Sequence, residues 1–88
     1  MFRNFKKAST QKAIAEIISF RFIGLDCEMM LKIENFEIKD KENKCKIMIK
    51  ETASNFKEGK RGEFIIHVFK SKITTKSLLI CYKYKIYE

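Results

Sequence analysis

The segment Leu78–Tyr87 alternates between two sets of side chains along its whole length. One set contains Leu78, Ile80, Tyr82, Tyr84 and Ile86, and the other contains Leu79, Cys81, Lys83, Lys85 and Tyr87. A period of two in a segment rich in aromatic and β-branched residues predicts a β-strand with one buried face. We expect the first set to face the core, and we expect the rest of the chain to pair with this strand or to cover it.

Three further segments are predicted to be strands. Met30–Ile38 alternates with one change of phase, which a β-bulge near Asn35 explains. Cys45–Glu51 alternates without interruption, with Cys45, Ile47 and Ile49 inward. Glu63–Lys70 is apolar on both faces, which is typical of a central strand or of one half of a dimer contact.

The connections between these strands are polar or irregular. Lys39–Lys44 has no apolar residue and predicts a hairpin loop, and Ser71–Ser77 predicts the last turn. Gly24 is a candidate turn residue. The long segment Thr52–Gly62 is the most irregular in the chain, and we expect Phe56 to anchor it to the core.

Residues 9–20 predict a helix. Ile14, Ile17 and Ile18 are spaced as on one face of a helix, after Ser9 and Thr10 as candidate N-caps and a basic arm, Met1–Ala8. The sequence therefore predicts an α+β fold in which an N-terminal helix packs on a four-stranded antiparallel meander sheet, in the order α-β-β-β-β.

Length and composition narrow the class of protein. The 88 residues predict one domain, 1–88, and no apolar run approaches the roughly 18 residues of a membrane helix, so no membrane partner is expected. The three cysteines, Cys27, Cys45 and Cys81, lack CxxC spacing and predict reduced, mostly buried thiols in a cytoplasmic protein. A single histidine, His67, excludes a multi-histidine metal site, and no cofactor or metal is expected.

The segment Gly24–Met29 reads Gly-Leu-Asp-Cys-Glu-Met. This string resembles the first acidic motif of the DEDD family of 3′–5′ exonucleases, where an Asp and a Glu on one strand face hold catalytic divalent metals. The resemblance implies that Asp26 and Glu28 are metal ligands. The other acidic motifs of that family and its catalytic His or Tyr have no counterpart in the chain. A metal-dependent, exonuclease-like fragment is therefore a remote alternative, and we predict a protein that is not an enzyme.

The 19 basic and 11 acidic residues give a formal net charge of +8, which favours an acidic partner. On the predicted sheet, one open face contains the outward lysines of two strands and an aromatic residue, with basic loop residues at its rim. These residues are Lys46, Lys50, Lys83, Lys85 and Tyr87 on the face, and Lys57, Lys60 and Arg61 at the rim. Lysines interleaved with aromatic side chains predict binding of nucleic acid or a nucleoprotein complex.

A second function class remains open from the sequence. Small α+β proteins without catalytic residues, such as phage and mobile-element inhibitors of host nucleases or defence complexes, act by occluding a partner's surface, which is an analogy of size and fold. The contact residues predicted for an inhibitor or adaptor of this kind are Phe69, His67, Met29 and Met30. The same residues make a homodimer a further expectation. Salt dependence separates the two classes, because phosphate binding weakens steeply with salt and an apolar contact does not.

Overall fold

The computed structural model describes residues 4–35, 44–50 and 56–88. Within these ranges the chain forms five β-strands and no helix. The strands are β1 (Phe5–Ile23), β2 (Asp26–Ile33), β3 (Lys44–Ile49), β4 (Arg61–Ser71) and β5 (Ser77–Ile86). They form a closed barrel in the order β1-β2-β3-β5-β4, with β4 pairing back onto β1.

The predicted helix over residues 9–20 is wrong, because these residues belong to β1, and the α+β fold class is wrong with it. Ala13, Ala15 and Ile17 form the inward phase of the strand and are fully buried, while Ile14 and Ile18 lie in the opposite phase. Alanine is common in helices and depleted in strands, so local propensity does not indicate that Ala13 and Ala15 form the inward phase of a strand. Pairing with two neighbouring strands overrides that propensity.

The predicted meander is also wrong. β4 follows β3 in sequence but does not pair with it, because β5 lies between them, parallel to β3 and antiparallel to β4. The parallel pairing is short and consists of Met48 with Ile80 and Ile49 with Cys81. The closed sheet therefore mixes parallel and antiparallel ladders.

The long strand β1 closes the barrel. β1 pairs with β4 over residues 5–16 and with β2 over residues 15–23, so Ala15 and Glu16 pair on both sides. The register shifts by one residue at Ala8 in the first ladder and at Ile18 in the second. Bulges of this kind increase strand twist and bend the strand, which allows β1 to pass from one neighbour to the other.

The core is built from the inward phase of each strand. Its members from the strands are Ala13, Ala15, Ile17, Cys27, Met29, Leu31, Ile33, Cys45, Ile47, Ile49, Phe64, Ile66, Val68, Leu79 and Cys81. The inward phase predicted for Cys45, Ile47 and Ile49 is confirmed. Phe56 is also confirmed as an anchor, since it is buried against the rings of Phe20 and Tyr84.

The predicted phase of β5 is right only in its last part. A register shift leaves Tyr82 as an extra residue, because Ile65 pairs with Lys83 and Ile66 pairs with Cys81. Before the shift Leu79 and Cys81 face the core, contrary to the prediction, and after it Tyr84 and Ile86 pack against the core as predicted. A single bulge thus reverses the phase of the strand.

Other predictions concern connections and thiols. Gly24 is confirmed as a turn residue, with φ of 60°, between β1 and β2. β2 starts four residues before the predicted strand Met30–Ile38 and ends before the predicted bulge at Asn35; most of the predicted loop Lys39–Lys44 lies outside the described residues. Cys27, Cys45 and Cys81 are buried, as predicted, and burial raises the pKa of the Cys27 thiol.

No helix in the described ranges has the length and apolar character needed to cross a membrane.

Gly62 lies where β4 and β5 approach most closely. A Cβ at this position would come within 2.6 Å of the carbonyl oxygen of Lys85. We expect Gly62→Ala to lower the free energy of unfolding by about 1–3 kcal/mol, because the two backbones must separate. Urea denaturation measures the change. The exposed Glu58→Ala is the control and should stay within about 0.5 kcal/mol of the parent; an equally small effect of Gly62→Ala would contradict the close approach.

Candidate nucleic-acid interface

Closure of the barrel separates the lysines that were predicted to share one open face. Lys46 and Lys50 lie on the outer side of the sheet formed by the end of β1, β2 and β3, which we call the groove face. Lys83 and Lys85 lie on the outer side of β4, β5 and the start of β1, which we call the platform face. The two faces meet where β3 pairs with β5.

The groove face contains a shallow depression of about 280 Å³. It is lined by Ser19, Phe20, Arg21, Glu28, Met30 and Lys46. The lining follows from the alternation of β2, because Cys27, Met29 and Leu31 face the core and so turn Glu28 and Met30 outward. Across the strands, Ser19 lies opposite Met30, and Met30 lies opposite Lys46.

Two carboxylates lie at one end of this face, and each is engaged by basic side chains of the protein. Arg21 Nε donates to Glu28 Oε1 at 2.9 Å, and Lys46 Nζ lies 4.0 Å from Glu28 Oε2. Lys50 Nζ donates to Asp26 Oδ2 at 2.9 Å. Within the described residues no group of three His, Cys, Asp or Glu side chains is placed to hold a metal. The geometry thus places Asp26 and Glu28 in ion pairs rather than in a ligand set.

The other end of the groove face is basic. Lys32 of β2 lies directly opposite Lys44 of β3, and Lys46 is the next outward residue on β3. Like charges in directly opposed positions destabilise a sheet, and Glu16 of β1, directly opposite Lys32 on its other side, offsets part of that repulsion. Counting outward positions, this face has five basic residues and three acidic residues; they are Arg21, Lys32, Lys44, Lys46 and Lys50 against Glu16, Asp26 and Glu28.

The platform face has an aromatic centre. His67 Nδ1 lies 3.1 Å from Thr10 Oγ1, within hydrogen-bond distance, and its ring packs edge-on with that of Tyr82 at a centroid separation of 5.4 Å. Tyr82 is 51% exposed. Burial, and then the charge of Lys7, hold the pKa of His67 below its ordinary value, so the imidazole is neutral at pH 7.

Lysines surround this centre. Lys83 lies opposite Ile65, and Lys85 lies opposite Glu63. Glu63 and Glu16, which pairs with Arg61, are the carboxylates among the outward positions of the three strand segments described on this face. Lys12 Nζ is 2.9 Å from Glu63 Oε1, and Tyr87 donates its hydroxyl to Glu63 Oε2 at 3.0 Å. The hydrogen bond from Lys12, followed by that from Tyr87, holds the pKa of Glu63 below its usual range. The Glu63 carboxylate is therefore already paired within the protein, with Lys12 and Tyr87.

Arg61 takes part in a structural network rather than in an open basic rim. Its guanidinium donates two hydrogen bonds to Glu34, at 2.8 and 2.7 Å, and lies over the ring of Tyr87 at 5.8 Å from the centroid. These contacts lower the pKa of the Glu34 carboxyl and raise the pKa of Arg61. Arg61 and Tyr87, both predicted to bind a partner, thus join β4 and the end of β5 to the residue after β2.

The remaining predicted contact residues are dispersed. Lys57 and Lys60 are exposed in the segment that precedes β4. Met30 lines the groove, whereas Met29 is fully buried, so Met29 is wrong as a surface contact. His67 and Phe69 lie half-buried on the platform face.

Several residues of both faces were missed from the sequence. On the groove face they are Ser19, Arg21, Lys32 and Lys44, and on the platform face they are Lys7, Lys12 and Tyr82. Lys12 and Ser19 were hidden by the helix prediction over residues 9–20, Lys7 was assigned to the basic arm Met1–Ala8, and Arg21 follows the predicted helix. Tyr82 was assigned to the core because the strict alternation of Leu78–Tyr87 gives no sign of the bulge.

Comparison of the chain with known protein families, with curated proteins and with solved structures finds no significant match. The argument about function therefore depends on the barrel and on the chemistry of its two outer faces.

The Arg61–Glu34 pair predicts a specific titration. The folded-state pKa of Glu34 lies below its unfolded value, so the stabilisation by the pair is present above the ordinary glutamate pKa and is lost as the pH falls through the folded value. We expect Arg61→Gln to raise the pKa of Glu34 toward its ordinary value in an NMR titration. Glu63, held mainly by Lys12, is the internal control and should shift less. An unchanged Glu34 would contradict the assignment.

Proposed function

We propose that the protein binds single-stranded nucleic acid across the groove face. The first support is topology: a closed five-stranded barrel in the order β1-β2-β3-β5-β4, with β1 shared and β3 parallel to β5, has the connectivity of the OB-fold. In OB-folds the face of strands 2 and 3 binds oligonucleotides and oligosaccharides. This is an analogy at the level of the fold, so the site's own chemistry has to support it.

The observation that supports nucleic acid most strongly is the group of lysines at one end of the groove face, Lys32, Lys44 and Lys46, which outnumber Glu16, the carboxylate opposite Lys32. A phosphate bound beside Lys32 and Lys46 forms charge-assisted hydrogen bonds with their ammonium groups. A neutral oligosaccharide offers these groups no anion. Because each lysine acts as a point charge rather than as a fixed fork of donors, we expect binding that follows the backbone and tolerates different sequences.

The middle of the groove suits bases. Met30 and Met48 present flexible, polarisable thioethers on the outer side of neighbouring strands, and such groups adapt to flat apolar surfaces. Glu28 lies at the edge of the same depression, where a carboxylate can accept a hydrogen bond from an exocyclic amine. The arrangement combines phosphate contacts at the lysine end with base contacts at the Met30–Glu28 end.

A protein-binding inhibitor or adaptor is a second candidate, and one observation favours it. The end of β1 and the turn that follows it expose three large apolar side chains, Phe22, Ile23 and Leu25, of which Leu25 is 81% exposed. Exposed apolar clusters of this kind mark contacts with other proteins. Occlusion of a partner's surface by this turn would be insensitive to salt, in contrast to phosphate binding.

Salt dependence tests the proposed function. We expect fluorescence anisotropy with a labelled 12-nucleotide oligothymidine to show binding at 50 mM salt. Neutralising about three phosphates predicts a slope of roughly −2 in a plot of log K against log salt, which is about twentyfold weaker binding at 200 mM. Absence of binding at 50 mM, for both DNA and RNA, would sink the proposal.

Matched charge reversals locate the site. We expect Lys46→Glu to weaken binding at least tenfold, because it removes a phosphate contact and adds a repelling charge. Lys6→Glu is the control, since it makes the same change in net charge at the start of β1, outside the groove face. Leu25→Ser should leave oligonucleotide binding intact. Equal losses for Lys46→Glu and Lys6→Glu would mean that only net charge attracts the strand.

A further inference from the structure

We propose that the bound strand continues from the groove face onto the platform face, where Tyr82 stacks on a base and Lys83 and Lys85 contact phosphates. This inference rests on the proposed function and extends it to a second binding surface on the opposite side of the β3–β5 pairing. It gives the protein a longer footprint than the groove alone.

The two faces adjoin at the β3–β5 pairing. Glu28 pairs with Met48, Met48 pairs with Ile80, and Ile80 pairs with His67, so these four residues form one row of outward positions from the groove to the platform. The middle of the row is apolar, and Ile80 is only 2% exposed, so a strand that crosses here passes over the side chains that cover Ile80 rather than over Ile80 itself. Beyond Glu28 no carboxylate lies in this row to repel a phosphate chain.

The distance between the faces fits a short stretch of a single strand. Lys46 precedes Met48 by two residues, and Tyr82 follows Ile80 by two residues, on strands that run parallel. At about 3.3 Å per residue along a strand and about 4.8 Å between strands, their Cα atoms are roughly 14 Å apart. A stacked strand advances about 3.4 Å per nucleotide, so about four nucleotides connect the two sites.

The bulge in β5 places Tyr82, the proposed stacking residue, on the outer side of the sheet. Tyr82 is the extra residue between the pairs Ile66–Cys81 and Ile65–Lys83, and it lies outside the inward phase of the strand. It is half exposed, and the edge-on ring of His67 supports it from β4. Aromatic side chains in such positions bind bases of any sequence, and their loss typically weakens binding by about tenfold.

The charge of the platform face favours a polyanion as the occupant. Its outward positions include Lys7, Lys12, Lys83 and Lys85 against two carboxylates, Glu63, which is engaged by Lys12 and Tyr87, and Glu16, which lies opposite Arg61. Combined with an exposed ring, this is the pattern of a surface that follows a single strand, with lysines on the backbone and an aromatic residue on a base. An acidic protein segment is the competing occupant and is an outcome of the test below.

Oligonucleotide length separates the two surfaces. We expect Tyr82→Ala to weaken the binding of a 12-nucleotide oligothymidine by about tenfold and to leave a 2-nucleotide oligothymidine within about twofold of the parent, because only the longer strand spans both faces. Lys83→Glu should show the same dependence on length. Lys46→Glu should weaken both oligonucleotides, since both occupy the groove. Tyr82 is exposed, and circular dichroism confirms that the variants stay folded.

A conservative variant gives a readout specific to stacking. The chain has three tyrosines and no tryptophan, so tyrosine emission is observed without a tryptophan background. We expect Tyr82→Phe to keep the affinity for the 12-nucleotide strand but to lose most of the emission quenching that this strand causes in the parent. Retained quenching in Tyr82→Phe would overturn the assignment of Tyr82.

The outcomes distinguish a failure of the platform proposal from a failure of the proposed function. If Tyr82→Ala and Lys83→Glu leave the 12-nucleotide strand unaffected while Lys46→Glu weakens it, the platform proposal is overturned and the groove proposal stands; the platform is then left to an acidic protein partner. Equal effects of Tyr82→Ala on both lengths also overturn the extension. If the parent protein binds neither oligonucleotide, the proposed function itself fails.

Discussion

The barrel depends on a single strand that has to satisfy two neighbours. At Ala15 and Glu16, β1 donates and accepts on both of its edges, toward β2 and toward β4. Small side chains at Ala13 and Ala15 leave room for the larger inward residues around them, such as Phe64, which pairs with Ala13. The groove face is organised by the part of β1 after this point and the platform face by the part before it. Without the shared segment the sheet has no closure and the two faces have no fixed relation.

Part of the positive charge of this molecule is held in ion pairs. The arginines described in the structure, Arg21 and Arg61, are held by carboxylates, in contacts that suit the rigid fork of a guanidinium. Lys12 and Lys50 are held by carboxylates as well, and the outward excess of positive charge on both faces consists of lysines. Structural pairing therefore uses much of the acidic complement, and the surface available to a partner is one of mobile point charges. Such a surface favours rapid, sequence-tolerant association with an anion over a tight and selective one.

The local sequence pattern predicted some of the strands, but it did not predict β1 or the order of the strands in the barrel. Two segments alternate strongly enough to predict β3 and β5, an apolar run predicted β4, and Phe56 was recognisable as an anchor. β1 was not, because Ile14, Ile17 and Ile18 fit a helical face and alanine occupies the inward phase. Strand order depends on contacts between distant residues, which no local pattern records. At the site, Lys46 and Lys83 were identified as outward residues, but their placement on one face assumed a meander. The bulge that exposes Tyr82 depends on its pairing partners in β4.

The ladder between β1 and β4 also sets when the fold can be completed. It joins residues 5–16 to residues 61–71. One edge of β1 therefore cannot form its backbone hydrogen bonds until most of the chain has been synthesised. Contacts of such long range make folding slow in comparison with folds built from neighbouring segments. During synthesis β1 and β2 can form a hairpin early, while the first half of β1 presents unpaired backbone groups. The lysines at Lys6, Lys7 and Lys12 along that half then have a second role, since charged side chains on an open edge oppose its pairing with another nascent chain.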